Sequence, residues 1–273
     1  MTLATLNIVV LAGDRGADDP LCRAAGVAAK ALVPVGGQPV LFRVLDALAS
    51  RREPGLRIVS GPRSEALATR RPDLIDSLSD RGWAWRAPAA SPALSALEAV
   101  VEVTQGSATA GPILLTTADH ALLSPALIDD FLTAALKARA EGADLAVGFV
   151  PLGVVQARFP EARRTPLPFS DGAVCSCNLF ALLTPAAHRV IDLWRAVERD
   201  RKSPWKVVRL LGPLTLLRFA LRRLTLRDAL AKLSDVGGAC VAPVLLTDPL
   251  AAVDVDSVAD WHLVQSLLDN SPP

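Results

Sequence analysis

Residues 7–45 contain the stretch that decides the fold, with NIVVLAGDRG at residues 7–16 and KALVPVGGQPVL at residues 30–41. The run Asn7–Leu11 is short and nearly all apolar, as is typical of a strand buried on both faces of a parallel sheet. The glycine-containing loop after it leaves backbone N–H groups free to bind an anion, and Arg15 and Lys30 supply cationic side chains. This pattern predicts a nucleotide-phosphate site, and an ordinary surface loop is the alternative.

Strand-like and helix-like segments alternate along the rest of the chain. Apolar runs of strand length occur at residues 56–59, 113–117, 145–150 and 241–246. Apolar side chains at helical spacing predict helices at residues 39–49, 93–103, 125–141 and from 185 onwards, and residues 87–92 and 161–169 are predicted loops. The alternation predicts an α/β fold, with a mostly parallel sheet covered by helices on both faces. We expect a single domain over residues 1–273.

Composition argues against several classes of protein. The formal net charge of the 273 residues is +1 at pH 7, so no nucleic-acid partner is expected. The four cysteines have no C-x-x-C spacing, which disfavours a zinc site and fits a reducing compartment. No apolar stretch approaches the roughly 20 residues of a membrane-spanning helix, and the first apolar run is too short for a signal peptide. A soluble, cytoplasmic protein is therefore expected.

The pattern LAGxRG at residues 11–16, followed by KALxPVxGxPVL at residues 30–41, resembles the signature of the nucleotidyltransferase superfamily. This superfamily includes sugar-1-phosphate nucleotidyltransferases, cytidylyltransferases and MobA-like proteins. The resemblance implies a Rossmann-like, doubly wound fold, that of the nucleotide-diphospho-sugar transferases. It also implies that the loop binds the NTP and that Arg15 and Lys30 contact its phosphates in catalysis. Nucleotide binding is thereby assigned to Leu11, Ala12, Gly13, Asp14, Arg15 and Lys30.

Asp119 follows the predicted strand at residues 113–117. Ligands of open α/β sheets bind at the carboxyl ends of the strands, so this carboxylate is expected in the active crevice. Mg²⁺ prefers oxygen ligands and shares them with substrate phosphates, so one or two carboxylates suffice. The alternative is an Asp that only caps the next helix, although Ser124 can fill that role. The segment TADHALL at residues 117–123 resembles the T-A-D-x-P-L-L motif of the superfamily, which implies that Asp119 is a catalytic metal ligand.

A second pair of carboxylates lies in the sequence AVDVDSVAD at residues 252–260. In an extended segment, Asp254 and Asp256 point to the same face because the strand period is two. Ser257 and Asp260 have the spacing of a capping box. The superfamily often ends its catalytic domain with a similar segment whose first acidic residue binds the metal. This resemblance implies Asp254 as the second Mg²⁺ ligand, with Asp256 as the runner-up.

Two further segments are assigned by the resemblance. Ser91 lies where relatives have a loop that reads the base, but a Gly-Thr pair is missing, so the choice among CTP, UTP and GTP stays open. Asn178 lies where relatives have a strand ending in Gly-Asn beside the acceptor, and it is a candidate substrate-binding residue. Cys177 replaces the usual glycine there. The alternative for this segment is a core strand in which Cys175 and Cys177 act as small apolar residues.

The segment 203–233 differs in character from the remainder of the sequence because it combines many apolar residues with several arginines. It predicts one or two helices, interrupted near Gly212-Pro213, that form an insertion in the domain. Three interpretations remain open. These helices cover the sheet or pack a homodimer; residues 205–223 lie on a membrane surface; or the segment is an acceptor-binding lid using Lys202, Lys206 or Arg209.

Together these features predict a Mg²⁺-dependent nucleotidyltransferase. It would transfer NMP from an NTP to a phosphorylated small molecule, such as a sugar or polyol phosphate, with release of pyrophosphate. His120, His188 and His262 are scattered, and each is expected to be a surface or helix residue rather than a catalyst. The alternatives are a nucleotide-binding protein without turnover and a metal-dependent glycosyltransferase of related fold. The latter would need a D-x-D motif near the middle of the sequence, and the residues at Asp119 do not provide one.

Overall fold

A mixed sheet lies at the centre of the computed structural model, which describes residues 3–13, 18–53, 55–105, 111–160, 165–200 and 212–269. Its eight strands are β1 (Asn7–Leu11), β4 (Arg57–Ser60), β5 (Ala84–Arg86), β6 (Ile113–Thr117), β7 (Leu145–Pro151), β8 (Leu167–Phe169), β9 (Gly172–Leu182) and β10 (Val241–Leu245). A separate antiparallel pair consists of β2 (Pro34–Val35) and β3 (Gln38–Pro39). The strand order is β10-β7-β9-β6-β1-β4-β5, and β8 pairs with β9.

The direction of the strands confirms the prediction of a mostly parallel sheet. β1 is parallel to β4 and β6, β4 is parallel to β5, and β7 is parallel to β10. β9 runs antiparallel to β6, β7 and β8, so among the described strands of this sheet it is the one with the opposite direction.

Helices cover both faces of the sheet. They are α1 (Pro20–Ala25), α2 (Val40–Ala49), α3 (Ser64–Arg70), α4 (Leu74–Asp80), α5 (Pro92–Gln105), α6 (Pro125–Ala140), α7 (Leu152–Arg158), α8 (His188–Asp200), α9 (Pro213–Ala220), α10 (Leu226–Gly237) and α11 (Val258–Asp269). α5, α8 and α10 pack on one face, whereas α1–α4, α6, α7 and α11 contribute to the larger core on the other. Single 3₁₀ turns occur at Lys30–Leu32, Pro185–Ala187 and Pro249–Ala252. This doubly wound arrangement is the predicted one.

The apolar sequence of β1 follows from its position between the two cores. Ile8 and Val10 point into one core, and Val9 and Leu11 point into the other. Side chains of a strand alternate between its faces, so a strand covered on both sides has no position that favours a polar residue. The strand ends at Leu11, Ala12 is still buried, and the first exposed position after the strand is Gly13.

Some local predictions were wrong. The segment 161–169 was predicted to be a loop, but Leu167–Phe169 forms β8, which pairs with the start of β9 in a tight antiparallel hairpin. Helix α1 was not predicted; the Asp19 carboxylate accepts a hydrogen bond from the Leu21 N–H, and Pro20 begins the helix. The predicted helix after Thr184 begins as a 3₁₀ turn and continues as α8.

The predicted insertion at 203–233 is described only from Gly212 onwards, and residues 203–211 lie outside the described residues. The described part consists of α9 and α10, and the predicted interruption near Gly212-Pro213 coincides with the start of α9. Within the described ranges, no helix is both long and apolar enough to cross a membrane.

Candidate functional site

Three carboxylates meet at the carboxyl end of β6. Candidate ligand oxygens of Asp119, Asp254 and Asp256 all lie within 4.8 Å of one another. The Val255 N–H donates a hydrogen bond of 2.9 Å to the backbone carbonyl of Asp119, which fixes the two segments side by side. Val253 and Val255 are buried, so Asp254 and Asp256, which alternate with them, point to the other side of the extended segment. The structure thus confirms the predicted common face of Asp254 and Asp256.

The Asp119 carboxyl is affected by its burial and by the two neighbouring carboxylates. Burial raises the pKa of the Asp119 carboxyl to about 7, and the negative charges of Asp254 and Asp256 add to this increase, against a hydrogen bond donated by the Thr117 hydroxyl. A divalent cation would relieve this crowding of negative charge. An all-oxygen ligand set is the type that Mg²⁺ prefers, so the residues present fit that ion.

The neighbouring polar residues have capping roles, as predicted. The Ser124 hydroxyl accepts a hydrogen bond from the Leu127 N–H, and it thereby caps α6 in place of Asp119. The Asp260 carboxylate accepts hydrogen bonds from the Ser257 N–H (3.0 Å) and hydroxyl (2.6 Å), while the Ser257 hydroxyl accepts one from the Asp260 N–H. This capping box at the start of α11 fixes the backbone directly after the Asp254–Asp256 segment.

Lys30 provides positive charge beside the carboxylates. Its Nζ atom donates to the Asp256 side chain and to the Asp256 carbonyl, both at 3.1 Å, and lies 3.4 Å from the Asp19 carboxylate. Burial opposes its charge, but the hydrogen bonds and attraction of Asp256 and Asp19 outweigh this, and the pKa of Lys30 is raised above its ordinary value. Lys30 is therefore a permanent cation, and its ion pair with Asp256 links the N-terminal part of the chain to the carboxylate cluster.

A cavity of about 1140 Å³ connects most of the predicted site residues. Leu11, Leu115 and Phe180 form its floor on the sheet, and the loop before α5 and one side of α8 form its walls. Of the residues predicted from the sequence, those lining it are Leu11, Gly13, Lys30, Ser91, Asp119, Asn178 and Asp256. Ala12 lies in the same loop, next to Gly13. Asp14 and Arg15 lie outside the described residues.

The loop before α5 is held in place by two serines. The Ser91 hydroxyl accepts a hydrogen bond of 3.3 Å from the Leu94 N–H, as an N-cap does. The buried Ser95 hydroxyl accepts one of 2.9 Å from the Ala89 N–H. Ser91 thus both lines the cavity and caps the helix, and the wall it belongs to is made of small residues.

Gly61 supports the loop that follows β1. Its φ is +100°, and a Cβ added there would lie 2.7 Å from the carbonyl carbon and oxygen of Ala12 and 2.8 Å from the Gly13 nitrogen. The backbone after β4 therefore approaches the backbone of the predicted nucleotide loop more closely than any side chain would permit.

Gly61→Ala is expected to reduce the free energy of unfolding by about 1 to 3 kcal/mol and to displace the Ala12–Gly13 backbone. Gly142→Ala is the matched control, because Gly142 has a φ of +99° but an added Cβ meets no atom within 4 Å. Urea unfolding of both variants separates the cost of the backbone angle from the cost of the close approach. Equal losses in the two variants would show that the contact with Ala12 has no effect.

A β-bulge directs Asn178 into the cavity. Between the pairs Val147–Phe180 and Phe149–Ser176, the three β9 residues 177–179 face the single residue Gly148. Asn178 adopts a left-handed φ of +51°, which is uncommon for a residue other than glycine. Bulges and such backbone angles often occur at functional sites, where they redirect a side chain.

Cys177 occupies the space left by the missing side chain of Gly148, since a Cβ there would lie 2.5 Å from its Sγ atom. Burial raises the pKa of the Cys177 thiol to about 12, so it is a neutral packing residue, in agreement with the apolar alternative for this cysteine.

Several lining residues were missed by the sequence analysis. Trp194, Arg195 and Arg199 reach the cavity from α8, and Arg63 reaches it from the start of α3. No motif distinguishes these residues, because their position depends on how α8 packs against α5. The Ala93 N–H at the start of α5 donates a hydrogen bond of 3.2 Å to the Glu198 carboxylate, which holds the two helices together at this edge.

His120 is buried and lies outside the helices, so the expectation of a surface or helix position was wrong. Its side chain is only 1% exposed, and neither ring nitrogen has a hydrogen-bond partner among the described residues by geometric criteria. Burial lowers the pKa of His120 to about 4, so the imidazole is neutral at pH 7. His120 does not line the cavity.

Comparison with known proteins identifies the family of this chain. The sequence model of the MobA-like NTP transferase domain matches residues 8–202, which is most of the chain. The protein belongs to the MobA-like NTP transferase family. The match contains β1, Lys30, the Asp119 segment and α8, whereas Asp254 and Asp256 lie beyond it. A comparison with curated proteins found no match.

Solved structures share the fold over almost the whole chain. A hypothetical transferase from Thermus thermophilus has a TM-score of 0.72 and 25% sequence identity, over 94% of this chain and 99% of that one. 4-Diphosphocytidyl-2C-methyl-D-erythritol synthase from Anaerococcus prevotii has a TM-score of 0.60 and 11% identity, over 97% and 96%. A CMP:2-keto-3-deoxy-manno-octonic acid synthetase, solved with CTP, has a TM-score of 0.54 and 12% identity, over 98% and 99%. These neighbours have the predicted nucleotide-diphospho-sugar transferase fold.

Proposed function

We propose that this NTP transferase family member is a Mg²⁺-dependent nucleotidyltransferase that transfers NMP from CTP, UTP or GTP to a phosphorylated small molecule. The observation that carries the proposal is the cluster of Asp119, Asp254 and Asp256 beside Lys30, at one edge of the cavity. This arrangement combines a cation site with a fixed positive charge, and both are needed to bind and activate a triphosphate.

In the proposed reaction, a phosphate oxygen of the acceptor attacks the α-phosphorus of the NTP, and the bond to the bridging oxygen breaks to release pyrophosphate. The acceptor oxygen is already an anion, so no protein nucleophile or general base is required. When bound, Mg²⁺ would neutralise phosphate charge as it develops on the leaving group. The protein supplies position and electrostatic stabilisation.

Individual residues have distinct proposed roles. Asp119 and Asp254 hold the Mg²⁺, while Asp256 positions Lys30 through the ion pair that links their side chains. Lys30 and Arg15 stabilise the phosphates, and the backbone of residues 11–13 binds the NTP. The small residues 88–91 border the base, whose identity stays open.

The same proposal places the acceptor between Asn178 and the carboxylates. The Asn178 side chain has both a donor and an acceptor group, and the bulge aims it at the cavity beside Asp119. Arg195 and Arg199 supply positive charge on the opposite wall, where an anionic acceptor would be attracted.

Asn178→Gly is expected to raise the KM for the acceptor at least about tenfold, since one or two hydrogen bonds are lost, with little change in the KM for the NTP. Glycine tolerates the left-handed φ, so the backbone of the bulge is retained. Ser176→Gly, in the same strand with an exposed side chain, is the matched control. An unchanged acceptor KM in Asn178→Gly would exclude this role.

The experiment that tests the function is pyrophosphate release with Mg²⁺, each of the four NTPs and a panel of sugar, polyol and inositol phosphates. Release with one NTP and one acceptor class would support the proposal and name both substrates. Mg²⁺-dependent NTP binding without release on any acceptor would favour a binding protein without turnover. The absence of NTP binding would reject the proposal.

A further inference from the structure

Positive charge is concentrated in one segment of an otherwise acidic protein. Residues 201–227 contain eight lysines and arginines and no acidic residue. The remaining 21 basic and 28 acidic residues leave a formal charge of −7 at pH 7 on the other residues. The net charge of +1 is therefore the sum of a strongly basic segment and an acidic remainder.

Helix α9, in the described part of this segment, presents leucines to solvent. Leu214, Leu217 and Leu221 are 68%, 55% and 56% exposed. Their spacing of three and four residues places them on one side of the helix. Such an exposed apolar stripe costs free energy in water unless it is covered in the functional state.

The other side of α9 is attached to the sheet. Phe219 packs edge-on against Phe169 of β8, with ring centroids 5.8 Å apart. Just beyond the helix, the Ser170 N–H donates to the Leu224 carbonyl at 2.9 Å, and the Leu226 N–H donates to the Asp171 carboxylate at 3.0 Å. The leucine stripe is thus on the outer side of an anchored element.

Two arginines follow the stripe at the end of α9. Arg222 has a left-handed φ of +54°, and the N–H groups of Arg222 and Arg223 donate to the carbonyls of Phe219 and Arg218. This is the helix-ending geometry in which glycine is strongly preferred at the position of Arg222. An arginine there costs stability, and such a cost is often retained at functional positions. Both arginine side chains are exposed.

We propose that Leu214, Leu217, Leu221, Arg222 and Arg223 form a leucine–arginine surface that binds an anionic phospholipid bilayer. The leucines would enter the boundary between headgroups and acyl chains, and the arginines would pair with lipid phosphates. Charge complementarity selects this partner, because the surface is basic and the rest of the protein, being acidic, would be held away from the bilayer. A nucleic acid would use the arginines but would leave the leucines in water.

Flotation of the full-length protein with phosphatidylcholine vesicles, with and without phosphatidylglycerol, tests the proposal. We expect binding to the anionic vesicles only, and less binding as salt is increased. The triple variant Leu214→Ser/Leu217→Ser/Leu221→Ser should reduce the partition coefficient at least about tenfold, because its apolar contribution is lost. Leu245→Ser is the matched control, since Leu245 is also 56% exposed but lies on β10, and it should bind like wild type.

The variant Arg222→Gly separates the effect of charge on vesicle binding from an effect on folding stability. It removes one positive charge while relieving the left-handed strain, so we expect about fivefold weaker vesicle binding together with an equal or higher melting temperature. No binding of the wild type to anionic vesicles would overturn the proposal. Unchanged binding of the triple serine variant would also overturn it, in favour of a purely electrostatic partner. Pyrophosphate release in solution should be the same in the serine variants, so this test is independent of the proposed function.

Discussion

Asp119→Ala is expected to reduce the rate of pyrophosphate release by a factor of about 100 to 1000 or more, because it removes an electrostatic contact made at the reacting phosphates. The carboxylate lies within 4.8 Å of those of Asp254 and Asp256, and burial raises its pKa to about 7. The remaining two carboxylates would hold Mg²⁺ less firmly. Steady-state rates with saturating NTP and acceptor measure the effect.

Asp260→Asn is the control for this experiment. Asp260 is a neighbouring carboxylate of the same segment as Asp254 and Asp256, but its side chain caps α11 through Ser257. We expect this variant to lose some stability and to keep its rate of transfer. If Asp119→Ala retained the wild-type rate, the carboxylate cluster would not be the catalytic centre.

Mg²⁺ is expected to raise the melting temperature by about 5 °C at pH 8 and to have little effect at pH 5. In the metal-free folded protein the pKa of Asp119 is about 7, and in the unfolded state it has its ordinary value near 4. The folded state therefore binds the proton more tightly, so this group contributes stability below about pH 4, and the contribution is lost as the pH rises through about 7. At pH 8 the cation replaces the missing proton, and at pH 5 the proton competes with it.

Asp119→Asn tests this linkage without changing the shape of the side chain. At pH 8 without Mg²⁺ the variant should melt at a higher temperature than wild type, because the negative charge of Asp119 is removed from the carboxylate cluster. It should also respond little to added Mg²⁺. Differential scanning fluorimetry of both proteins at pH 5 and pH 8 gives the comparison. An equal Mg²⁺ response in the variant would mean that the ion binds elsewhere.

The parts of the site that could be predicted from the sequence are those fixed by local periodicity. The uninterrupted apolar run of β1 follows from burial on both faces, and it locates the loop containing Gly13. Alternation of valine and aspartate at residues 253–256 places both carboxylates on one face. Their approach to Asp119 needed the resemblance, because nothing local connects segments that are more than 130 residues apart in the sequence.

The rest depends on contacts between distant segments. At the bulge that contains Asn178, Cys177 packs where Gly148 of another strand has no side chain, and no local pattern reports such a pairing. Trp194 and Arg195 line the cavity only because α8 packs beside α5. Likewise, His120 was expected to be a surface or helix residue, but the 3₁₀ turn at Pro249–Ala252 helps to bury it.

The position of β9 has a consequence for how the specificity of this protein would change. β9 pairs with β6 as far as Phe180 and with β7 on either side of the bulge, so the residues that flank Asn178 are held by neighbouring strands. Loops can lengthen or exchange with little effect on a sheet, but a residue in the middle of a central strand is replaced only in place. In the proposed enzyme, nucleotide preference would thus diverge through loop exchange, whereas acceptor preference would diverge through point substitutions at a fixed position.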